Sequence, residues 1–496
     1  MKRIIPVLLI LALLMSTVNA AALTRTGFGK AASEVEYNEN DAARMRAFLE
    51  IEDELGVKNG QKITRDSDVA YDPEDPETWR HVRWNDEGEI VSIAFWSYNF
   101  AQYIDGLGGQ PTYPEQLLVG TLDVSGMQSL EVLGIQQNRI DGIIADDCPG
   151  LFNLACNDNP ELVSVSAKND PSMGYLGTIN CSALVSLDIG GSFVRQLEIS
   201  KTPALSALDL SDCRDSLELI GASESGITSV DLSGMTRLQQ ANFDSSSLSS
   251  INLEGITSSF ILSLENTQVK SLDLSSANGI TSLDINYSLI SELDLTGCEN
   301  MLELYCEGTP LAELDTTDSP EMYLFDLMGS TALRSARISA YGNTFGITAE
   351  NGFFDLAMIL YYYSDFGKTV VRGNDDLVML NAYPAAEGAE FIGWYRDSDG
   401  EMISDETSIM LDDDLLEELH TQGLSLTARF AAPAVRGDAN GDGTVDTEDA
   451  LLVLRAALGI DGDSAALLAN CDMDGSGVID TTDALLILRL ALGITA

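Results

Sequence analysis

The chain is 496 residues long and sets 27 Lys and Arg against 78 Asp and Glu, a formal net charge of -51 at pH 7. So acidic a polypeptide repels phosphate backbones and anionic bilayers, which excludes nucleic acid and lipid headgroups as expected partners. Seven cysteines, Cys148, Cys156, Cys181, Cys213, Cys298, Cys306 and Cys471, are odd in number and scattered, so buried free thiols are expected rather than a disulfide framework.

In chain order, residues 1–20 come first. Lys2 and Arg3, an apolar run from Ile4 to Met15 and the small residues of "STVNA" follow the order of a secretory signal peptide, with cleavage expected near Ala20. The run falls short of the roughly 20 residues that cross a bilayer, and no other stretch is long and apolar enough, so a secreted, extracellular protein is expected. Residues 21–116 hold "NDAARMRAFLEIEDELG", which reads as a short amphipathic helix, and "TWRHVRWNDEGEIVSIAFWS", which reads as a hairpin turning at Gly88. Trp79, Trp84 and Trp96 are expected to pack, in preference to forming a sugar-stacking platform, because large aromatic side chains usually bury most of their area.

Residues 117–345 repeat. Steps of 21 or 22 residues connect Leu122, Ile143, Val165, Leu187, Leu208, Val230, Ile251, Leu272, Leu293 and Leu314, and Asp follows seven of them. A second series lies half a period away: Leu133, Leu154, Leu176, Leu197, Leu219, Ala241, Leu262, Leu283, Leu304 and Phe325. Such a period predicts one solenoid coil per repeat, with two short apolar strands or turns pointing into a continuous core. The phrases "LEVLGIQQNRI", "LFNLACNDNPEL" and "MLELYCEGTPL" then resemble bacterial leucine-rich repeats of the short 21-residue type. That resemblance implies an α/β to mostly β solenoid in which Asn138 and Asn159 bond the turning backbone, Ser246 and Thr309 replace such an Asn elsewhere, and Cys156 and Cys306 are core residues. Zinc binding is not expected, because no Cys or His pairs stand at short spacing. The tryptophan-rich hairpin resembles the caps that precede many extracellular leucine-rich repeats.

Residues 346–365, with "FFDLAMILYYY", are expected to connect the solenoid to a small β-rich module at 366–431, the apolar run burying against the last coil or that module. Its "AEFIGWYRDSDGEMIS" and terminal "LSLTARF" resemble the GWY-type repeats of listerial and anaerobe surface proteins, spacer or adhesive modules for which no site is expected. Residues 432–436 form a linker.

Residues 437–496 superpose on themselves after a shift of 34: Asp438 falls on Asp472, Asn440 on Asp474, Asp442 on Ser476, Asp446 on Asp480 and Asp449 on Asp483, and a similar helix follows each loop. Calcium prefers six to eight hard oxygen ligands. Each loop offers side chains at positions 1, 3 and 5, a carbonyl at position 7 (Thr444 or Val478), an acid at position 9 and an Asp at position 12, so two calcium ions are expected. The two units resemble the type I dockerin, which implies an all-α, calcium-dependent module of paired EF-hand-like loop-helix motifs docking onto a cohesin of a scaffold protein in a cellulosome-like assembly. The family's recognition positions map onto Thr447, Glu448, Leu454 and Arg455 in the first copy and Thr481, Thr482, Leu488 and Arg489 in the second. Leu451, Leu458, Leu485 and Leu492 have the spacing of an internal helix-helix core. Eleven acids against Arg455 and Arg489 give this module a net charge of -9, so its folding is expected to depend on metal.

No catalytic residue stands out. His81 and His420 are the only histidines, and neither lies near a Ser or Cys elbow. The expected function is therefore that of a multi-domain, exported, non-catalytic interaction protein, whose leucine-rich repeats bind a ligand of protein character. The alternative is a glycoside hydrolase-like component of the same machinery, acting through two carboxylates. Residues 117–340 carry 31 acids against 9 bases and few aromatics, which favours a protein or cationic ligand over a neutral sugar.

Overall fold

The computed structural model describes residues 36–64, 68–95, 117–330, 332–340, 343–350, 352–359, 362–365, 369–372, 377–385, 389–431, 435–440, 444–460 and 470–494. The expected leader at 1–20, Trp96, Asp442 and most of the expected linker lie outside the described residues. Among the described residues no helix is long and apolar enough to cross a membrane.

Helix α1 (Glu39–Leu49) starts where the Asn38 side chain accepts the main-chain N–H groups of Asn40 and Asp41, satisfying donors that a helix start otherwise leaves open. It buries Ala42, Met45, Phe48 and Leu49. A second helix that the sequence pattern did not announce, α2 (Asn59–Thr64), fastens the cap to the first coil. There the Asn59 amide donates to the carbonyls of Phe48 and Val119, and its oxygen accepts the N–H of Val119. The tryptophan hairpin forms as expected from Val82–Trp84 and Ile90–Ala94, with Gly88 at φ 77°. A Cβ at Gly88 would come within 2.1 Å of the Glu36 carbonyl oxygen, so only glycine fits. Trp79 is buried, with its indole N–H donating to the Asp72 carbonyl.

Strand Ile90–Ala94 pairs in parallel with Val132–Gly134 and so opens a 15-stranded sheet. Ten short parallel strands follow, one per coil, ending at Leu324–Asp326. The opposite side of the solenoid is less regular, with a four-stranded sheet (Val119–Asp123 to Ser186–Asp188), a two-stranded one (Ser229–Asp231 and Ser250–Asn252) and turns between. No α-helix occurs among the described residues of the coils, so the α/β side of the expected fold class gives way to β structure and turns.

Leu133, Leu154, Leu176, Leu197, Ala241, Leu262, Leu283 and Leu304 are fully buried, as the repeat requires. Leu219 is a correction. Leu197 pairs with Ile220, not Leu219, because a 3₁₀ turn at Ser211–Cys213 lengthens this coil by one residue. Ile220 fills the core and Leu219 stays half-buried. All seven cysteines are buried and unpaired with one another. At the inner turn Asn159 donates to the carbonyls of Ile135 and Cys156, and Thr309 at the equivalent place makes one such bond, to Cys306.

The region beyond the repeats departs from expectation. Residues 346–365, read as a connection, instead carry strands that continue both sides of the solenoid. Leu324–Asp326 pairs antiparallel with Gly352–Ile359, which pairs with Leu377–Pro384 and then Ser408–Met410. On the other side the chain passes from Ser335–Ala340 to Asn343–Glu350, Leu424–Phe430 and Phe391–Arg396. Phe354, Leu356, Trp394 and Leu426 thus belong to the same hydrophobic core as the coils, and the GWY-type region closes the open end of the solenoid. An unannounced helix, α3 (Asp413–Gln422), is capped by Asp412 and buries Leu415, Leu416 and Leu419. Asp355 is buried where the last coil meets this closure; it accepts bonds from the Gly329 N–H, the Asn381 amide and the Tyr383 hydroxyl.

Helices α4 (Thr447–Ala457) and α5 (Thr481–Ala491) pack on each other around their own core of Ala450, Val453, Ala456, Cys471, Ile479, Ala484 and Ile487. Here a second correction arises. Leu451, Leu458, Leu485 and Leu492 are 55 to 61% exposed. The inward stripe instead runs through Ala450, Val453 and Ala456 in α4 and Ala484 and Ile487 in α5, where small residues let the helices approach closely.

Candidate functional site

In the second loop the carboxylates of Asp472, Asp474 and Asp483 converge, with one oxygen of each lying within 4.8 Å of the others. These three sit at positions 1, 3 and 12. The loop turns sharply at Gly475 and Gly477, both at positive φ, and the Gly477 N–H donates to Asp472 at 2.7 Å. Ser476 donates its N–H to both Asp472 and Asp474, and its hydroxyl lies 3.1 Å from the Val478 carbonyl. The main-chain N–H of Gly477, followed by those of Ser476 and Gly475, holds the Asp472 carboxyl below the usual carboxylate range. The result is a set of hard oxygen donors in a tight glycine-bearing turn, which fits a calcium-sized cation.

Position 12 does two things. Asp483 is fully buried and accepts the N–H groups of Met473, Asp474 and Asp480. It is also the third residue of α5, where it completes a reciprocal capping box with Asp480. Asp480, at position 9, is turned to the helix start and accepts the Thr482 N–H at 2.6 Å, so it stands outside the three-carboxylate cluster. A water-mediated role suits that placement.

The first loop repeats the pattern. Asp449 is fully buried and accepts the N–H groups of Ala439, Asn440 and Asp446, and Asp446 caps α4 through the Glu448 N–H. Asp438 is buried, while Asn440, Thr444 and Asp446 are exposed. A link that spacing does not announce joins the loops: the Arg436 guanidinium, at the end of the expected linker, donates to the carbonyls of Asp472 and Met473, and the Gly437 N–H donates to Asn470. The only hint of it in the sequence is a lone base directly before an acidic loop.

Of the expected docking residues, Thr447, Glu448, Arg455, Thr481 and Thr482 are exposed and Arg489 half-exposed. Leu454 and Leu488 instead lean against the small helix core. The exposed apolar surface is supplied by Leu451, Leu452, Leu458 and Ile460 on α4 and after it, and by Leu485, Leu490, Leu492 and Ile494 on α5 and after it.

Two capped helices, each entered directly from an acidic loop whose oxygens could hold a cation, form a paired loop-helix unit attached to a β-solenoid body. Residues 436–490 match the family model of the dockerin type I domain. No curated protein sequence matches the chain. Among solved structures the solenoid is similar to bacterial leucine-rich repeat proteins. The functional domain of InlJ from Listeria monocytogenes, described as including a cysteine ladder, is 18% identical over 45% of this chain and 56% of that one, with a TM-score of 0.28. An internalin, InlF, from the same organism is 15% identical over 45% and 69%, at 0.25. A plant ice-binding protein is 12% identical over 60% and 88%, at 0.31. The chain thus spans little more than half the length of the InlJ domain that it matches.

Proposed function

We propose that this is an exported interaction protein. Its C-terminal unit binds two calcium ions and docks onto a cohesin of a scaffold protein, while the solenoid and its closing β module present a binding surface for a protein ligand. The observation that carries the reading is the duplicated loop with converging carboxylates, within residues that match the dockerin type I model. In this reading Asp438, Asn440, Asp442, Thr444, Asp446 and Asp449 hold one ion, and Asp472, Asp474, Ser476, Val478, Asp480 and Asp483 hold the other. Two ions bring the module's charge from -9 to -5, relieving the mutual repulsion of carboxylates held a few ångströms apart. Because a bound ion stabilises only the folded loops, calcium orders the docking helices and its removal loosens them.

The docking face in this reading combines Thr447, Glu448, Arg455, Thr481, Thr482 and Arg489 with the exposed leucines beside them. An exposed apolar stripe rimmed by polar residues marks an interaction surface. Thr447-Glu448 and Thr481-Thr482 differ, so the two near-symmetric faces are not equivalent. The solenoid supplies an extended surface of the kind repeat proteins use for recognition, and the secreted location follows from the leader-like residues 1–20. Capture of the full chain by immobilised cohesins, with calcium and then with chelator, tests the reading; absence of any calcium-dependent capture across a panel of cohesins overturns it.

A further inference from the structure

The segment that leads into the first loop reaches across to the second, and the crossing is not symmetric. Shifted by 34 residues, Arg436 and Gly437 fall on Asn470 and Cys471, so the second copy has no guanidinium at this place. The two dipeptides meet, with the Gly437 N–H donating to the Asn470 carbonyl at 2.8 Å. Gly437 is buried at φ 97°, and a Cβ there would press on Val445 of the first unit at 3.3 Å and on Ile487 of the second at 3.4 Å. From that fixed base the exposed Arg436 side chain donates to the carbonyls of Asp472 at 3.2 Å and Met473 at 2.9 Å.

Those two carbonyls belong to positions 1 and 2 of the second loop, and the N–H groups that follow them, of Met473 and Asp474, are taken by Asp483. The main chain from Asp472 to Asp474 is therefore gripped from two sides, its donors by the carboxylate at position 12 and its acceptors by Arg436. Two of the three converging carboxylates hang from this stretch, and the third is Asp483 itself. Groups outside a ligand set that fix its orientation act on metal affinity through that fixing. Charge makes the opposite demand: a guanidinium beside a cation site repels the ion, so Arg436 can favour binding only through the position it imposes.

We propose that Arg436 is a positioning residue for the second calcium loop: reaching over from the segment that enters the first unit, it holds the carbonyls of Asp472 and Met473 so that the carboxylates of Asp472 and Asp474 converge on the ion. The proposal rests on the calcium reading of the module. By reciprocity, an ion in the second loop tightens the Arg436 contact and so fixes the segment through which the module is entered.

The test is calorimetric titration of the full, calcium-stripped chain with calcium, in about 150 mM salt to screen the chain's diffuse negative charge. Asp449→Asn serves as the background: it keeps an acceptor for the Ala439 and Asn440 N–H groups but removes a charge from the first site, so the second site is read nearly alone. There Arg436→Ala is expected to weaken calcium binding about tenfold, the scale on which orienting partners act, and Arg436→Lys, which keeps a donor for one carbonyl, to recover part of the loss. In the mirror background, Asp483→Asn, Arg436→Ala should leave the remaining site unchanged. Melting in saturating calcium verifies that each variant is folded; if a background unfolds, Arg436→Ala alone is titrated, and one ion but not the other should bind more weakly. Unchanged binding, tighter binding as charge alone would give, or equal weakening of both sites overturns the role of Arg436 and leaves the calcium reading standing. Absence of any calcium uptake by the natural chain overturns both.

Discussion

Asp449 and Asp483, 34 residues apart, are held alike: each is fully buried and accepts the main-chain N–H groups of the second and third residues of its own loop and of the residue three before it. Loop and helix are therefore coupled through one carboxylate. Asp483→Ala is expected to cost about 2–3 kcal/mol, since three main-chain donors lose their acceptor and α5 loses half its capping box. Thermal unfolding followed by circular dichroism in calcium should show the loss. It should also show that chelator destabilises the natural chain more than the variant, because one ion site is already gone.

Much of this module is legible in its sequence, because ligand spacing in a calcium loop is a local property and a 34-residue copy removes ambiguity. The helix faces were harder to read. With leucines at Leu451, Leu452, Leu454 and Leu458, apolar periodicity admits two stripes, and the alanines at Ala450 and Ala456 decide between them only once the helices are seen in contact. The same limit applies to the solenoid: the period placed most core positions, with Leu208, Ile251 and Leu293 only half-buried against the core, yet Leu219 and Ile220 are both aliphatic, and only strand pairing shows which one turns inward. The closing β module was invisible as a closure because pairing of Leu324–Asp326 with Gly352–Ile359 is long-range and leaves no local signal.

That register makes a paired prediction. Ile220→Ala should destabilise the solenoid by about 2–4 kcal/mol, as expected for a large-to-small change in a packed core, and Leu219→Ala by less than about 1 kcal/mol. Chemical denaturation of the two variants distinguishes them, and equal effects would contradict the pairing of Leu197 with Ile220.

Asp170 gives a pH prediction. It is fully buried in the column otherwise occupied by Cys148, Ser192 and Cys213, and one of its oxygens has no hydrogen-bond partner. Burial pushes its carboxyl up to about 7, against the pull of the Cys148 N–H. The folded chain thus holds this proton more tightly than the unfolded chain. Its share of stability is complete below about pH 4, falls as pH rises toward 7 and levels off above, where the buried carboxylate is charged. Asp170→Asn, which keeps the acceptor for Cys148 without the charge, is expected to stabilise the chain by at least about 1 kcal/mol at pH 8 and to make little difference at pH 4. A melting-temperature series across that range checks it.

The exposed leucines separate docking from folding. Leu451→Ser and Leu485→Ser should shift stability by no more than about 0.5 kcal/mol, as surface changes do. Cohesin capture should weaken at least tenfold when the face that is used loses its leucine. Equal loss from both would show that the faces contribute alike, against the asymmetry of Thr447-Glu448 and Thr481-Thr482.

The most direct measurement of the central claim is the affinity of the full chain for a panel of cohesins, first in millimolar calcium and then in excess chelator. At least one cohesin should bind in calcium, release in chelator and bind again when calcium is restored, with binding lost in an Asp449→Ala, Asp483→Ala double variant. Failure of every cohesin to bind in calcium, or binding that survives both chelator and the double variant, would contradict the account.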